Sequence, residues 1–241
     1  MLGRFLEYSI ATPDIRASLE FYEKLGFAQG QVGDAWPHPY AVVTDGRIHL
    51  GLHQQPAQSA PSLTFVKPDL LQLLGPLESQ GVSVEFRRLG NDVFNELGWY
   101  DPGGHLIRVI EARTFSPIKR PITDTSLCGY FLEIALPAPS REQAKQYWER
   151  FGFVGMDEPD ALLEHVSCTS DCIDIGLYDP AQLRSPTLVF DAGDVRAALG
   201  RLEQAGIVPS GQLPAPLRQR PAAVLAAPEG TAILLLSEGD A

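Results

Sequence analysis

The sequence predicts an α+β fold built from four βαβββ units, arranged as two tandem repeats of two units each. Three observations lead there. Each half opens on a strand-like run followed by an amphipathic helix. Phe5, Glu7, Tyr22, Gly26 and Phe27 return as Phe131, Glu133, Trp148, Gly152 and Phe153, each 126 positions later. Within each half a second strand and helix are followed by further strand candidates. A constant offset over that many residues is the signature of a duplication.

Taken in order, residues 5–11 (FLEYSIA) read as a strand and residues 12–27 (TPDIRASLEFYEKLGF) as a helix with its flanks. Pro13 suits a first turn, Ile15, Leu19 and Tyr22 form an i, i+4, i+7 stripe, and Gly26 stands where a helix needs a left-handed terminator. In residues 41–54, Asp45 and Gly46 mark a hairpin, and Ile48, Leu50 and Leu52 alternate with His49, Gly51 and His53. Residues 62–66 read as a strand. Residues 69–80 read as a helix on Leu70, Leu73, Leu74 and Leu77, stopped by Gly81. Strand candidates follow at 82–87 and 93–100, and the Asp101-Pro102-Gly103-Gly104 turn launches the last, 105–111.

Residues 114–126 are polar, interrupted by proline and aperiodic, as an interdomain linker is. The expected division is residues 1–113, a linker at 114–127, and residues 128–241. The second half repeats the plan: residues 131–137 (FLEIALP), a helix with a Ser140/Gln143 capping box, CIDIGLY matching RIHLGLH, a strand at 187–190, a helix at 194–206 and a final strand in 228–238.

Composition narrows the partners. At 44% hydrophobic and 20% charged the chain reads as soluble and globular, and a formal charge of −11 with no basic cluster argues against nucleic acid. No apolar run reaches the length of a membrane span, and the N-terminus lacks a cleavage-like pattern, so the cytoplasm is expected. Cys128, Cys168 and Cys172 are odd in number and lack metal-knuckle spacing, so they read as reduced and structural. A small-molecule partner is expected, and a homodimer is left open.

A strand, a helix ending in FYEKLGF, and later DPGGHLIRVIE together resemble the vicinal oxygen chelate superfamily of glyoxalases, bleomycin-resistance proteins and extradiol dioxygenases. The resemblance covers nearly the whole chain. It implies two glyoxalase-like domains, each a cup-shaped mixed sheet of two βαβββ units with helices outside, and in many relatives a divalent metal in the cup. If the apolar alternates face the helices, then Glu7, His49, His53, Ser62, Thr64 and Arg108 line the first cup, and Glu133, Asp174, Tyr178, Thr187 and Leu234 the second.

The resemblance places ligand positions at Glu7, His49, Ser62 and Arg108, and at Glu133, Asp174, Thr187 and Leu234. Neither set is complete. A guanidinium is no ligand and puts a positive charge where a cation would sit, and Leu234 offers no donor. No metal residues are therefore assigned and no cofactor is expected, with Zn, Ni, Mn or Fe as the alternative. The first cup is the expected functional one. Glu7 and His49 are its candidate acid–base groups, and Arg108, Ser62, His53, Trp36 and Tyr40 its candidate substrate contacts, with Arg108 either paired to Glu7 or holding an anionic group. Residues 36–40 are a candidate lid. The second cup reads as more apolar and vestigial, and His105 as turn structure. The expected function is binding of a small, anionic organic metabolite; the alternative is a lyase, isomerase or dioxygenase of the same superfamily.

Overall fold

The computed structural model describes residues 2–31, 36–54, 60–90, 95–112 and 126–237. The first half contains β1 (Arg4–Thr12), α1 (Ile15–Lys24), β2 (Ala28–Gln29), β3 (Tyr40–Thr44), β4 (His49–Gln54), β5 (Ser62–Lys67), α2 (Leu74–Ser79), β6 (Val84–Arg88), β7 (Glu96–Tyr100) and β8 (Leu106–Glu111). The second contains β9 (Tyr130–Pro137), α3 (Arg141–Arg150), β10 (Val154–Glu158), β11 (His165–Thr169), β12 (Ile175–Tyr178), β13 (Thr187–Asp191), α4 (Val195–Gln204), β14 (Ala223–Ala226) and β15 (Ala232–Leu236). They form two mixed sheets, β2-β3-β4-β1-β5-β8-β7-β6 and β10-β11-β12-β9-β13-β15-β14. The α+β class and the paired units are as the sequence predicts. Most of the expected linker, residues 113–125, lies outside the described residues; at its end Leu127 N–H donates to Leu25 O at 2.8 Å.

Three local differences have physical causes. Asp14, not Pro13, begins α1: its carboxylate accepts from the amides of Arg16 and Ala17, leaving the proline just outside the helix. The expected helix at 69–80 divides into a 3-10 turn, Leu70–Leu73, and the short α2, because Pro76 has no N–H to continue the earlier turn. The fourth unit has two strands after its helix among the described residues, not three. Its intervening segment, residues 207–222, contains Pro209, Pro214, Pro216 and Pro221, which cannot donate to a ladder, and forms only a short 3-10 turn.

The faces opposite the cups merge. Tyr22, Phe27, Trp99, Trp148 and Phe190 belong to one continuous buried cluster spanning both halves, rather than to two separate cores. Polar contacts pin the junction: Ser18 and Tyr22 donate to Glu229 at 2.8 and 2.7 Å, and Trp99 Nε1 donates to Tyr147 Oη at 2.6 Å. His105 contributes here as well as to its turn, through Nε2 at 2.8 Å from the Pro137 carbonyl.

Gly26 and Gly152 end their helices at φ of +88° and +94°. Alanine at either should cost about 1 kcal/mol, read as a lower unfolding midpoint in denaturant.

Candidate functional site

Glu7 faces the first cup from β1 with 1% of its surface exposed. Its carboxylate lies across β4 because Gly51 leaves the room: a Cβ there would stand 2.1 Å from Glu7 Cδ and Oε1. Three donors converge on it. Oε1 accepts from Ser9 Oγ at 2.7 Å and His53 Nε2 at 2.9 Å, and Oε2 accepts from the Tyr40 hydroxyl.

The direction of the network follows from that carboxylate, which can only accept. His53 carries its proton on Nε2, so in the neutral ring Nδ1 accepts from His38 Nε2 at 2.9 Å. Ser9 has spent its single proton, so Thr64 donates to Ser9 at 2.7 Å and Ser62 to Thr64 at 3.2 Å. Burial, then the Glu7 charge, pushes the Tyr40 phenol far above its ordinary range and keeps it a donor. Trp36 stands edge-on to His53 with ring centroids 4.9 Å apart, and Tyr40 lies over the same ring at 4.7 Å. Residues 36–40 thus pack into the mouth of the first cup.

His49 shares this face by strand alternation but is not among Glu7's partners; His53, two residues on, holds the carboxylate. Arg108 does not pair with Glu7 either. It sits on β8, two strands from β1, about 10 Å away at the usual strand spacing, and Glu7's oxygens are already supplied with donors. Among the described residues its carboxylate partner is Glu96, with Nε 3.9 Å from Oε2, and Glu96 is held more closely by Arg88 at 2.9 Å. The guanidinium lies 5.8 Å from the Trp36 ring centre and 5.6 Å from that of Phe86, and its buried Nε has no hydrogen-bond partner among the described residues.

Burial, then His53 and Arg108, lower the pKa of His38 below 6.5. An unfolded histidine takes up a proton below that pH while the folded one resists. Stability from His38 is therefore present above about 6.5 and lost as pH falls toward the lowered folded value. The melting temperature should drop more on moving from pH 7.5 to 5.5 in the wild type than in His38→Asn.

The second half rebuilds the same centre with two residue types exchanged. Tyr40 on β3 pairs across to His53 on β4; in the copy, His165 on β11 pairs across to Tyr178 on β12. Glu133 replaces Glu7, and Gly176 replaces Gly51: a Cβ on Gly176 would stand 2.1 Å from Glu133 Oε1. Tyr178 Oη donates to Glu133 Oε1 at 2.5 Å, and the His165 ring stacks on Tyr178 at 4.5 Å and 7°. Leu234 is buried with Ala135, Val189 and Leu236 in an apolar floor. Above it opens a cavity of about 550 Å3 lined by Glu133, His165, Tyr178 and Asp174. A cup with its own buried acid, histidine and tyrosine is more than the apolar remnant that the sequence suggests. His165 had no local motif to announce it.

Neither cup fits a metal by its donors. The first presents a guanidinium and a carboxylate committed to three donors; the second offers Leu234 and Thr187, whose hydroxyl donates to Ser185 O at 3.0 Å. No three His, Cys, Asp or Glu residues among those described are placed to share an ion. The cysteines are unbridged, and burial pushes the Cys128 and Cys168 thiols up to about 12, as inert structural cysteines require. No helix among the described residues is long and apolar enough to cross a membrane.

Residues 4–109 match the model of the Glyoxalase/Bleomycin resistance protein/Dioxygenase superfamily. No curated protein matches the sequence. Similar solved structures include a catechol 2,3-dioxygenase, at 15% identity over 96% of this chain and 86% of that one, TM-score 0.59. A homoprotocatechuate 2,3-dioxygenase variant from Brevibacterium fuscum aligns at 15% identity over 98% and 71%, TM-score 0.64. A Mn(II)-bound glyoxalase from Novosphingobium aromaticivorans aligns at 15% identity over 98% and 82%, TM-score 0.61. At these identities the likeness is one of fold.

Proposed function

We propose that this chain, whose residues 4–109 match the model of the Glyoxalase/Bleomycin resistance protein/Dioxygenase superfamily, is a member of that superfamily that binds a small organic anion in its N-terminal cup without a metal. The observation that carries this reading is Arg108. Its side chain is 22% exposed, and among the described residues its buried Nε has no hydrogen-bond partner and its nearest carboxylate partner is 3.9 Å off. A half-desolvated cation left in that state costs free energy, and a carboxylate arriving on the guanidinium offsets the cost through charge-assisted hydrogen bonds. Trp36 and Phe86, on which the guanidinium already rests, favour a ligand with an unsaturated or aromatic body. The free cysteines suit a cytoplasmic setting.

The acid–base reading of Glu7 is weaker on the same geometry. A base must have a lone pair available to the substrate, and Glu7 is already the acceptor for Ser9, His53 and Tyr40. Binding therefore outranks lyase, isomerase or dioxygenase chemistry.

Titration calorimetry with benzoate as the probe should show binding that Arg108→Glu weakens by about 2 kcal/mol or more. The same variant restores a carboxylate at a ligand position and should gain affinity for Zn2+, Ni2+ or Mn2+. Tight stoichiometric metal binding by the wild type, lost in the variant, would overturn the metal-free reading.

A further inference from the structure

The cavity of about 550 Å3 in the C-terminal cup has two walls of different character. Strand alternation turns His165, Ser167 and Thr169 of β11 to the cup face, about 7 Å apart along the strand, and all three line the cavity. Cross-strand register sets His165 against Tyr178 and Ser167 against Gly176, so the next pair on this face is Thr169 with Asp174, another lining residue. Opposite this polar wall, Val189 and Leu236 of the apolar floor and Leu132 from β9 reach the same space.

The groups along the polar wall are of two kinds. His165 Nδ1 lies 2.8 Å from the Leu163 carbonyl, which can only accept, so Nδ1 carries the hydrogen and Nε2 of the neutral ring offers a lone pair. The ring lies flat on Tyr178, with centroids 4.5 Å apart, which fixes the direction of that lone pair. Ser167 and Thr169 present hydroxyls, each both donor and acceptor. Asp174 ends the row with a carboxylate short of donors. Its Oδ1 has no hydrogen-bond partner among the described residues, and burial, opposed by a bond from the Ser170 backbone, holds the carboxyl above its ordinary range. The first cup has no such row: Val42 pairs with Gly51 where Ser167 pairs with Gly176, and the Tyr40 hydroxyl, at the place of His165, is spent on Glu7.

We propose that the C-terminal cup binds a neutral polyhydroxylated ring, of the cyclitol or monosaccharide class, its hydroxyl edge along His165 Nε2, Ser167 and Asp174 and its C–H face on Val189 and Leu236. The two sides of such a ring differ as the two walls do. Hydroxyls on its edge both donate and accept, which suits a wall that mixes acceptors with hydroxyls, and its faces carry C–H groups that suit the apolar floor. The site is independent of anion binding at Arg108.

The test titrates the full chain at pH 7.5 with myo-inositol, D-glucose, D-galactose, D-mannose and D-xylose, and with two comparison rings, cyclohexanol and cyclohexylammonium, by saturation-transfer NMR and calorimetry. At least one polyol should bind at concentrations up to about 10 mM, and at least 10-fold more tightly than cyclohexanol, a ring with a single hydroxyl. Its affinity should fall at least 10-fold in Ser167→Val, which installs the residue of the first cup, and in Asp174→Ala. Ser167 is half-buried and valine already occupies its place in the copy, so this variant decides the matter if Asp174→Ala unfolds. Absence of binding by every polyol, cyclohexanol binding as tightly as the best of them, or an affinity unchanged in Ser167→Val would overturn the proposal. So would cyclohexylammonium binding more tightly than every polyol, since the cup would then select charge rather than hydroxyl groups.

Discussion

Gly51→Ala should destabilise the protein by about 3 kcal/mol or more, a large loss for one methyl group. The new Cβ would stand 2.1 Å from the Glu7 carboxylate, and that carboxylate has nowhere to go, because Ser9, His53 and Tyr40 fix it from three directions. A clash with a mobile surface side chain would relax; this one must break a buried charge-assisted network or bend a central strand. The origin of the loss is open to a double-mutant cycle. In a Glu7→Ala background the methyl group enters space already vacated, so Gly51→Ala should then cost less than about 1 kcal/mol. Denaturant unfolding of the four proteins measures the coupling. If the two losses simply add, Gly51 matters for another reason, such as backbone geometry in β4. Gly176→Ala should repeat the result through Glu133 and the Tyr178 ring, whose Cε2 is 2.5 Å from the added Cβ.

That pair of glycines also shows how far the sequence could be read. RIHLGLH and CIDIGLY align residue by residue, so alternation alone brings Gly51 and Gly176, and two residues later His53 and Tyr178, to one face of their strands. The fold was legible for the same reason: period-two strands, glycine-stopped helices and the DPGG turn are local, and the duplication states each of them twice. The site was less so. Tyr40 reaches Glu7 from β3 and His165 faces Glu133 from β11, and what brings them there is cross-strand register, which no short motif encodes. His49 and His53 are equivalent by parity; only the path of the Glu7 carboxylate over Gly51 selects His53. Arg108 shares the inward face with Glu7, and strand order, which alternation does not reveal, keeps the two apart.

Glu7→Leu should be the most damaging single change in the first cup, with an expected loss of about 4 kcal/mol. It removes the common acceptor while leaving His53 Nε2, Tyr40 Oη and Ser9 Oγ buried and without their partner, and each stranded donor costs about 1 to 3 kcal/mol before any repacking. Glu7→Gln separates the effect of charge from that of hydrogen-bond direction. The amide oxygen can face Ser9 and His53, the side with two donors, and its NH2 can face Tyr40, whose hydroxyl reverses from donor to acceptor. The network then survives with one bond inverted and the charge assistance lost, so the expected cost is only about 1.5 kcal/mol. This rescue depends on the Tyr40 oxygen. Tyr40→Phe removes a charge-assisted bond in the wild type but only a neutral one in the Glu7→Gln background, so the double variant should lose about 1 kcal/mol less than the sum of the single losses. Additive losses measured by equilibrium unfolding would mean that the bonds do not converge on Glu7 in the direction argued, and that another group terminates the network.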